Sequence, residues 1–233
     1  MLGLGSSLAT KRTLYFTNTY SLSFNGTTEY GNLAGTIPAI NINVGTISLW
    51  VKLDTGNTNM QLIKASVDSN NNIQIYQKHS DNKLYFVYKA GGVTKQVATA
   101  FNYEGNDTWY HLIMTWDTTA DELKAYINGD QVESTVDSLG TFSGTIDEIY
   151  IARNSTAANA FLAGHLDEVA IFDSVQRTET LYSSGGALNL MGNANLIGWW
   201  RMEEGVSTKV ADSSSNTNVM TLSNTPTWST DKP

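Results

Sequence analysis

The sequence contains no cysteine. Thiolate metal sites, cysteine nucleophiles and disulfide frameworks are thereby excluded. The compartment stays open, because a well-packed secreted sandwich can fold without disulfides. Charge is also scarce, at 15% of residues, and the basic share is the smaller one: 14 Lys and Arg against 22 Asp and Glu, a net charge of −8. That carboxylate excess argues against a nucleic-acid backbone or an anionic membrane as the main partner. No apolar run approaches the ~20 residues that cross a bilayer. The start, Met1 to Arg12, does not have the order of a signal peptide, because its basic residues follow a short, glycine-interrupted apolar stretch. Asn, Ser, Thr and Gly supply the polarity that charge does not, as in turn-rich β proteins.

What is present is alternation. Ile47, Leu49, Val51 and Leu53 share one face of a strand, and Leu84, Phe86 and Tyr88 stand opposite Tyr85 and Val87. Residues 109–117 are apolar on both faces, which suits a central strand covered on each side. Asn128-Gly129 predicts a two-residue hairpin turn, since both residues tolerate positive φ. The runs at 68–72 and 90–92 read as loops. One short helix is predicted over Val175 to Ser183, capped by Asp173 or Ser174 and ended by glycine. The segments 144–151 and 164–171 echo each other, as two neighbouring strands with similar burial patterns would. Together these features predict one all-β antiparallel sandwich. Residues 1–20 read as an N-terminal arm and 21–233 as the sandwich.

Several segments, in order, resemble the bacterial and phage laminin-G-like domains, relatives of the concanavalin A-like jelly roll. Ser21 to Tyr30 (SLSFNGTTEY) is similar to the family's S-L-x-F-D-G-x-x-D-Y strand, and Thr46 to Lys52 to its strand ending in W-V-K. Trp109-Tyr110-His111-Leu112 with Tyr126-Ile127-Asn128-Gly129 resembles W-H-H-V…L-Y-V-N-G. Ala163 to Phe172 resembles the closing G-x-I-D-E-V-x-I-Y strand. Leu196 to Gly205 (LIGWWRMEEG) resembles the segment that usually opens the domain, yet it stands near the end, as a circular permutation would place it. The resemblance therefore implies a jelly-roll sandwich with one short helix, in which 196–228 supply completing strands and Leu196 to Glu203 lies antiparallel beside Gly164 to Phe172.

The same resemblance implies what the domain does. A structural calcium near the closing strand would use Asp167, with Glu29 and Asn25 where relatives carry acids, although asparagine at 25 removes a charge. Glycosidases of this fold carry E-x-D-x-x-E on one strand face, and no such run occurs here. Adjacent Asp147-Glu148 and Asp167-Glu168 point to opposite faces by alternation. Nucleophile-elbow, zinc-helix and phosphate-loop motifs are absent as well. Of the aromatics, Trp50, Trp109, Trp116, Trp199 and Trp200 read as core. Tyr76, Tyr85, Tyr88 and Tyr103 read as an exposed patch. The function expected is non-catalytic binding, without a cofactor apart from that calcium. The first reading is a tailed-phage virion component, a capsid-decorating or fibre protein that binds shell proteins or host-surface glycans. The alternative is a bacterial carbohydrate-binding or adhesion module at the cell surface or outside it. The apolar residues of the arm predict a homo-oligomer contact, and neither nucleic acid nor membrane insertion is expected.

Overall fold

A computed structural model describes residues 17–33, 38–56, 58–100, 105–154, 159–184 and 186–233. The alternating segments form two antiparallel sheets. The first contains β1 (Ser21–Asn25), β3 (Val44–Leu53), β8 (Tyr110–Asp117), β9 (Glu122–Ile127), β10 (Asp130–Val136), β12 (Ala163–Phe172), β13 (Leu196–Trp200) and β16 (Thr227–Ser229). Its order is β10-β9-β8-β3-β12-β1-β16, and β13 also pairs with β12. The second contains β2 (Tyr30–Asn32), β4 (Met60–Ser66), β5 (Asn72–Lys78), β6 (Lys83–Ala90), β7 (Val93–Ala100), β11 (Glu148–Ile151), β14 (Lys209–Val210) and β15 (Met220–Ser223). They run β14-β15-β2-β11-β4-β5-β6-β7.

Inward residues from both sheets make one core, among them Leu49 and Val51 of β3, Met114 and Trp116 of β8, and Leu84, Phe86 and Tyr88 of β6. The indole N–H groups do not enter it unpaired: Trp116 Nε1 donates to Asn41 O at 3.1 Å and Trp200 Nε1 to Asn218 O at 2.6 Å. Gly45 is required where β3 crosses Trp116, because a Cβ there would lie 2.3 Å from that ring. The predicted Asn128-Gly129 turn forms, with φ of 50° and 86°, and pairs Ile127 with Asp130.

The both-faces-apolar pattern of β8 has a direct consequence. Ile113 faces away from the main core and packs with Ala170, Phe172, Leu181, Leu190 and Trp199 in a second, smaller cluster. The connection from 173 to 195 supplies its cover. Helix is confined there to α1 (Thr178–Leu181), shorter than the span predicted, and its N-cap is Arg177, with no side-chain cap. Ser174 is engaged elsewhere, its carbonyl accepting a hydrogen bond from Thr46 Oγ1.

β13 lies antiparallel beside β12, with Val169 opposite Trp200 and Ala170 opposite Trp199. It ends at Trp200, before the predicted Glu203, and Met202 turns the chain with φ +55°. Asp212 clasps the return, accepting from the backbone N–H groups of Trp199, Ser214 and Asn218. The two echoing segments are not neighbours: β11 sits between β2 and β4, whereas β12 lies in the other sheet. Similar alternation arose from two separate burials. Of the predicted arm, residues 1–16 lie outside the described residues. Residues 17–20 are bound into the domain, as the contacts below show.

Candidate functional site

The second sheet turns a polar face outward. Its register sets Gln61, Tyr76, Tyr85 and Ala98 side by side, and beneath them Lys64, Gln74, Val87 and Gln96. A third row holds Ser66, Asn72, Lys89 and Thr94. The intervening residues, Ile73 and Ile75 on β5 and Leu84 and Phe86 on β6, fill the core. Alternation thus sends one set of residues to packing and the other to this face.

Two adjoining depressions cross it, of 650 Å³ and 380 Å³. They share Lys64, Gln74 and Tyr76 and form one groove. Asn59, Asn154 and Asn159 flank the larger end; Asn72, Lys89 and Gln96 flank the smaller. Among the described residues lining it there is neither aspartate nor glutamate.

Tyr76 stacks on Tyr85, ring centroids 5.0 Å apart and planes 10° from parallel. Tyr85 is held by its hydroxyl, which donates to Asp81 Oδ2 at 2.6 Å, and by Lys78, which also pairs with Asp81. That bond pushes the Tyr85 phenol up and draws the Asp81 carboxyl down. Burial pushes the Tyr76 phenol up. Near the other end, the Arg153 guanidinium lies over Tyr30 and Tyr150, 4.4 Å and 4.3 Å from their centroids. Gln61 is fixed by donating to the carbonyls of Ile63 and Ile75. The face therefore presents a rigid aromatic surface among amides and ammonium groups. Such a set can stack on an apolar ring face and hydrogen-bond the hydroxyls around it.

The predicted calcium residues are not brought together. Asn25 closes the turn after β1, its Oδ1 accepting from the backbone N–H groups of Thr27 and Thr28, while Glu29 Oε2 accepts from Asn25 N. Asp167 lies four residues along β12 from Ala163, the partner of Asn25, a separation on the order of 13 Å. Among the described residues no three His, Asp or Glu side chains are grouped to hold a metal.

Asp167 and Glu168 depart from alternation. Glu168 has φ +50° and the register of β12 against β3 shifts between Asp167 and Ala170. This is a β-bulge, which sets an extra residue into one strand. Neither acid reaches solvent: they are 0% and 4% exposed. Asp167 accepts from Asn18 Nδ2 at 2.8 Å and from the N–H of Glu168. Glu168 accepts from Trp199 Nε1 at 2.6 Å and Arg201 Nε at 3.3 Å. Arg201 reaches Thr17 O, and Glu203 takes the N–H groups of Thr19 and Tyr20. The bulge thus ties residues 17–20 to the segment after β13, where β1 and β13 meet along one edge of β12. Burial raises the Asp167 carboxyl well above the usual range, and the charge of Glu168 adds to this. Burial lifts Glu168 to about 8 against the opposing pull of Arg201.

Of the other aromatics, Trp50, Trp116, Trp199 and Trp200 are buried, as expected, whereas Trp109 is only half-buried and donates to Asp231 Oδ1 at 2.8 Å. Tyr85 and Tyr88 are not exposed as expected; both are buried, and Tyr88 donates to Ile42 O at 2.9 Å. Tyr103 lies outside the described residues. Sequence reading missed Gln61, Lys64, Gln74 and Asn154, whose signal was available: the polar half of Asn72 to Lys78 alternates with Ile73 and Ile75.

A family model described as the concanavalin A-like lectin/glucanases superfamily, of the laminin-G-like type, matches residues 25–180. Pentraxin-related protein PTX3 of Bos taurus is 27% identical over 132 residues, half of this chain and 34% of that protein. Among solved structures, a protein of Bacteroides ovatus described as carbohydrate binding aligns with a TM-score of 0.68 and 14% identity, over 92% of this chain and 60% of that one. The CBM40 of the Ruminococcus gnavus IT-sialidase, bound to α2,6 sialyllactose, aligns with a TM-score of 0.56 and 13% identity, over 69% of this chain and 93% of that one. The chain spans about a third of the pentraxin relative and less than two thirds of the Bacteroides chain.

Proposed function

The chain belongs to the concanavalin A-like lectin/glucanases superfamily, and we propose that it is a non-catalytic glycan-binding module whose site is the groove on the second sheet. The observation that carries this reading is the Tyr76–Tyr85 stack set among Gln, Asn and Lys side chains, with no carboxylate in the described lining. Glycoside hydrolysis needs two carboxyl groups flanking the bond. The acids that are buried together, Asp167 and Glu168, belong to the other sheet and to a structural clasp. The carbohydrate-binding descriptions of two structural neighbours agree with this reading. They favour the adhesion or carbohydrate-binding module over the virion component expected first, and an extracellular or surface location with it. A phage fibre that grips host glycans would use the same face, so the groove does not depend on the setting.

Glycan-array screening followed by calorimetry tests the proposal. Tyr76→Ala should weaken the best ligand roughly 30-fold, the loss expected of an aromatic anchor, and lower the melting temperature by only a few degrees. Unchanged affinity in Tyr76→Ala would place the site elsewhere. Release of reducing ends from the bound glycan would overturn the non-catalytic half.

A further inference from the structure

Lys52 and Lys64 are equally buried, each 6% exposed, and their surroundings differ. Lys52 pairs with both Asp107 and Asp231. Lys64, where the two depressions of the groove join, has one neutral partner, Asn154 Oδ1 at 3.1 Å. Among the described residues no carboxylate forms an ion pair with it. Burial, with repulsion from Lys89, outweighs the opposing field of Glu148 on β11 and holds the ammonium below the usual lysine range. Burying a cation without a counter-ion is costly.

A second orphan lies beside it. Asn72 is 2% exposed, lines the smaller depression, and its Oδ1 has no hydrogen-bond partner among the described residues. Lys89, opposite Asn72 in the sheet, donates to Ser69 O at 2.7 Å and closes the same end.

The geometry points to an acidic saccharide as the ligand: a carboxylate or sulfate ester seats on Lys64, with Lys89 as the second cation. The inference rests on the glycan-binding reading and narrows its ligand class. An anion supplies the counter-charge that Lys64 lacks, whereas a neutral sugar leaves it unpaired. Tyr76 holds the neighbouring ring, so affinity and charge selection reside on different side chains.

The test is calorimetry with two matched pairs: oligogalacturonate against its methyl ester, and a sulfated galactan oligosaccharide against its desulfated form. At least one acidic member should bind about tenfold or more tightly than its neutral counterpart, the gain expected of a charge-assisted bond. Preference within the first pair alone identifies a uronate, and within the second alone a sulfate ester. Lys64→Gln should erase the preference, and Lys89→Gln should reduce it about threefold. Equal binding within both pairs overturns the inference, as does a preference that survives in folded Lys64→Gln. Should that variant not fold, the wild-type pairs together with Lys89→Gln decide. Neutral glycans binding through Tyr76 with no acidic preference would leave the glycan-binding reading intact, whereas no glycan binding at all would remove both.

Discussion

On the outer face of the first sheet, Ile113, Phe172 and Trp199 lie beneath the 173–195 connection. On the outer face of the second, Gln61, Lys64, Gln74 and Tyr76 line an open groove. Both faces come from alternating strands. They differ because β8 and β12 carry apolar residues on both sides and need cover, while β4 and β5 place polar groups outward. Polar side chains left this tightly packed without such a cover cost stability, Lys64 most of all. Departures of this kind gather at sites that bind.

The largest test of the contrast is removal of the C-terminal segment. Residues after Ala194 supply β13 and β16 to the first sheet and β14 and β15 to the second, with Trp199, Trp200, Met202, Val210 and Met220 buried. Truncation there should abolish soluble, cooperative folding, read by circular dichroism and size exclusion. It strips a paired strand from β12 and exposes apolar surface with it. A soluble monomer with unchanged melting would show the segment to be a tail.

Point substitutions sharpen the contrast further. Phe172→Ala empties part of the covered cluster and should cost about 3–5 kcal/mol in denaturant unfolding. Tyr76→Ala, on the open face, loses chiefly one aromatic pair and should cost about 1 kcal/mol. If the two costs prove equal, the groove wall is core, and its aromatic stack needs no ligand to account for it.

Much of the architecture was legible in the residues and the site only in part. Alternation placed β3, β6 and β8, and Asn128-Gly129 fixed its turn, because each signal is local. The apolar outer face of β8 foretold a cover without saying what supplied it. The bulge at Glu168 was hidden: no glycine marks it, and a period-two reading assumes that no such insertion occurs. That assumption sent Asp167 and Glu168 to opposite faces. The groove was missed for another reason. Gln61, Lys64, Gln74 and Val87 become one surface only through the register of three strands, which a single sequence does not state. Tyr76 and Tyr85 were singled out as aromatics near polar loops; their stacking depends on that same register.

The acid clasp allows a test that leaves the groove untouched. Glu168 is lifted to about 8 by burial, and Asp167 is raised with it. Between the ordinary carboxylate range and about 8, the folded chain therefore holds a proton that the unfolded chain releases. Stability contributed by this pair is present at low pH and is lost as pH rises through that window. His111 has the opposite sign. Burial lowers it to about 3, so its contribution is present above the unfolded value near 6.5 and falls away on acidification. Melting from pH 7 to 9 thus reads mainly the acids. The wild-type protein should lose roughly 5 °C over that range, a shift that corresponds to one or two kcal/mol in a chain of this size. Glu168→Gln keeps an acceptor for the Trp199 indole and has no proton to lose, so its profile should be flatter and cross above that of wild type at the alkaline end. A wild-type melt that stays flat across these values, or falls equally in Glu168→Gln, would mean that Arg201 holds Glu168 ionised throughout. The clasp would then be an ordinary ion pair. Glycan affinity measured at the same pH values should be indifferent to the substitution, because the clasp and the groove belong to different sheets.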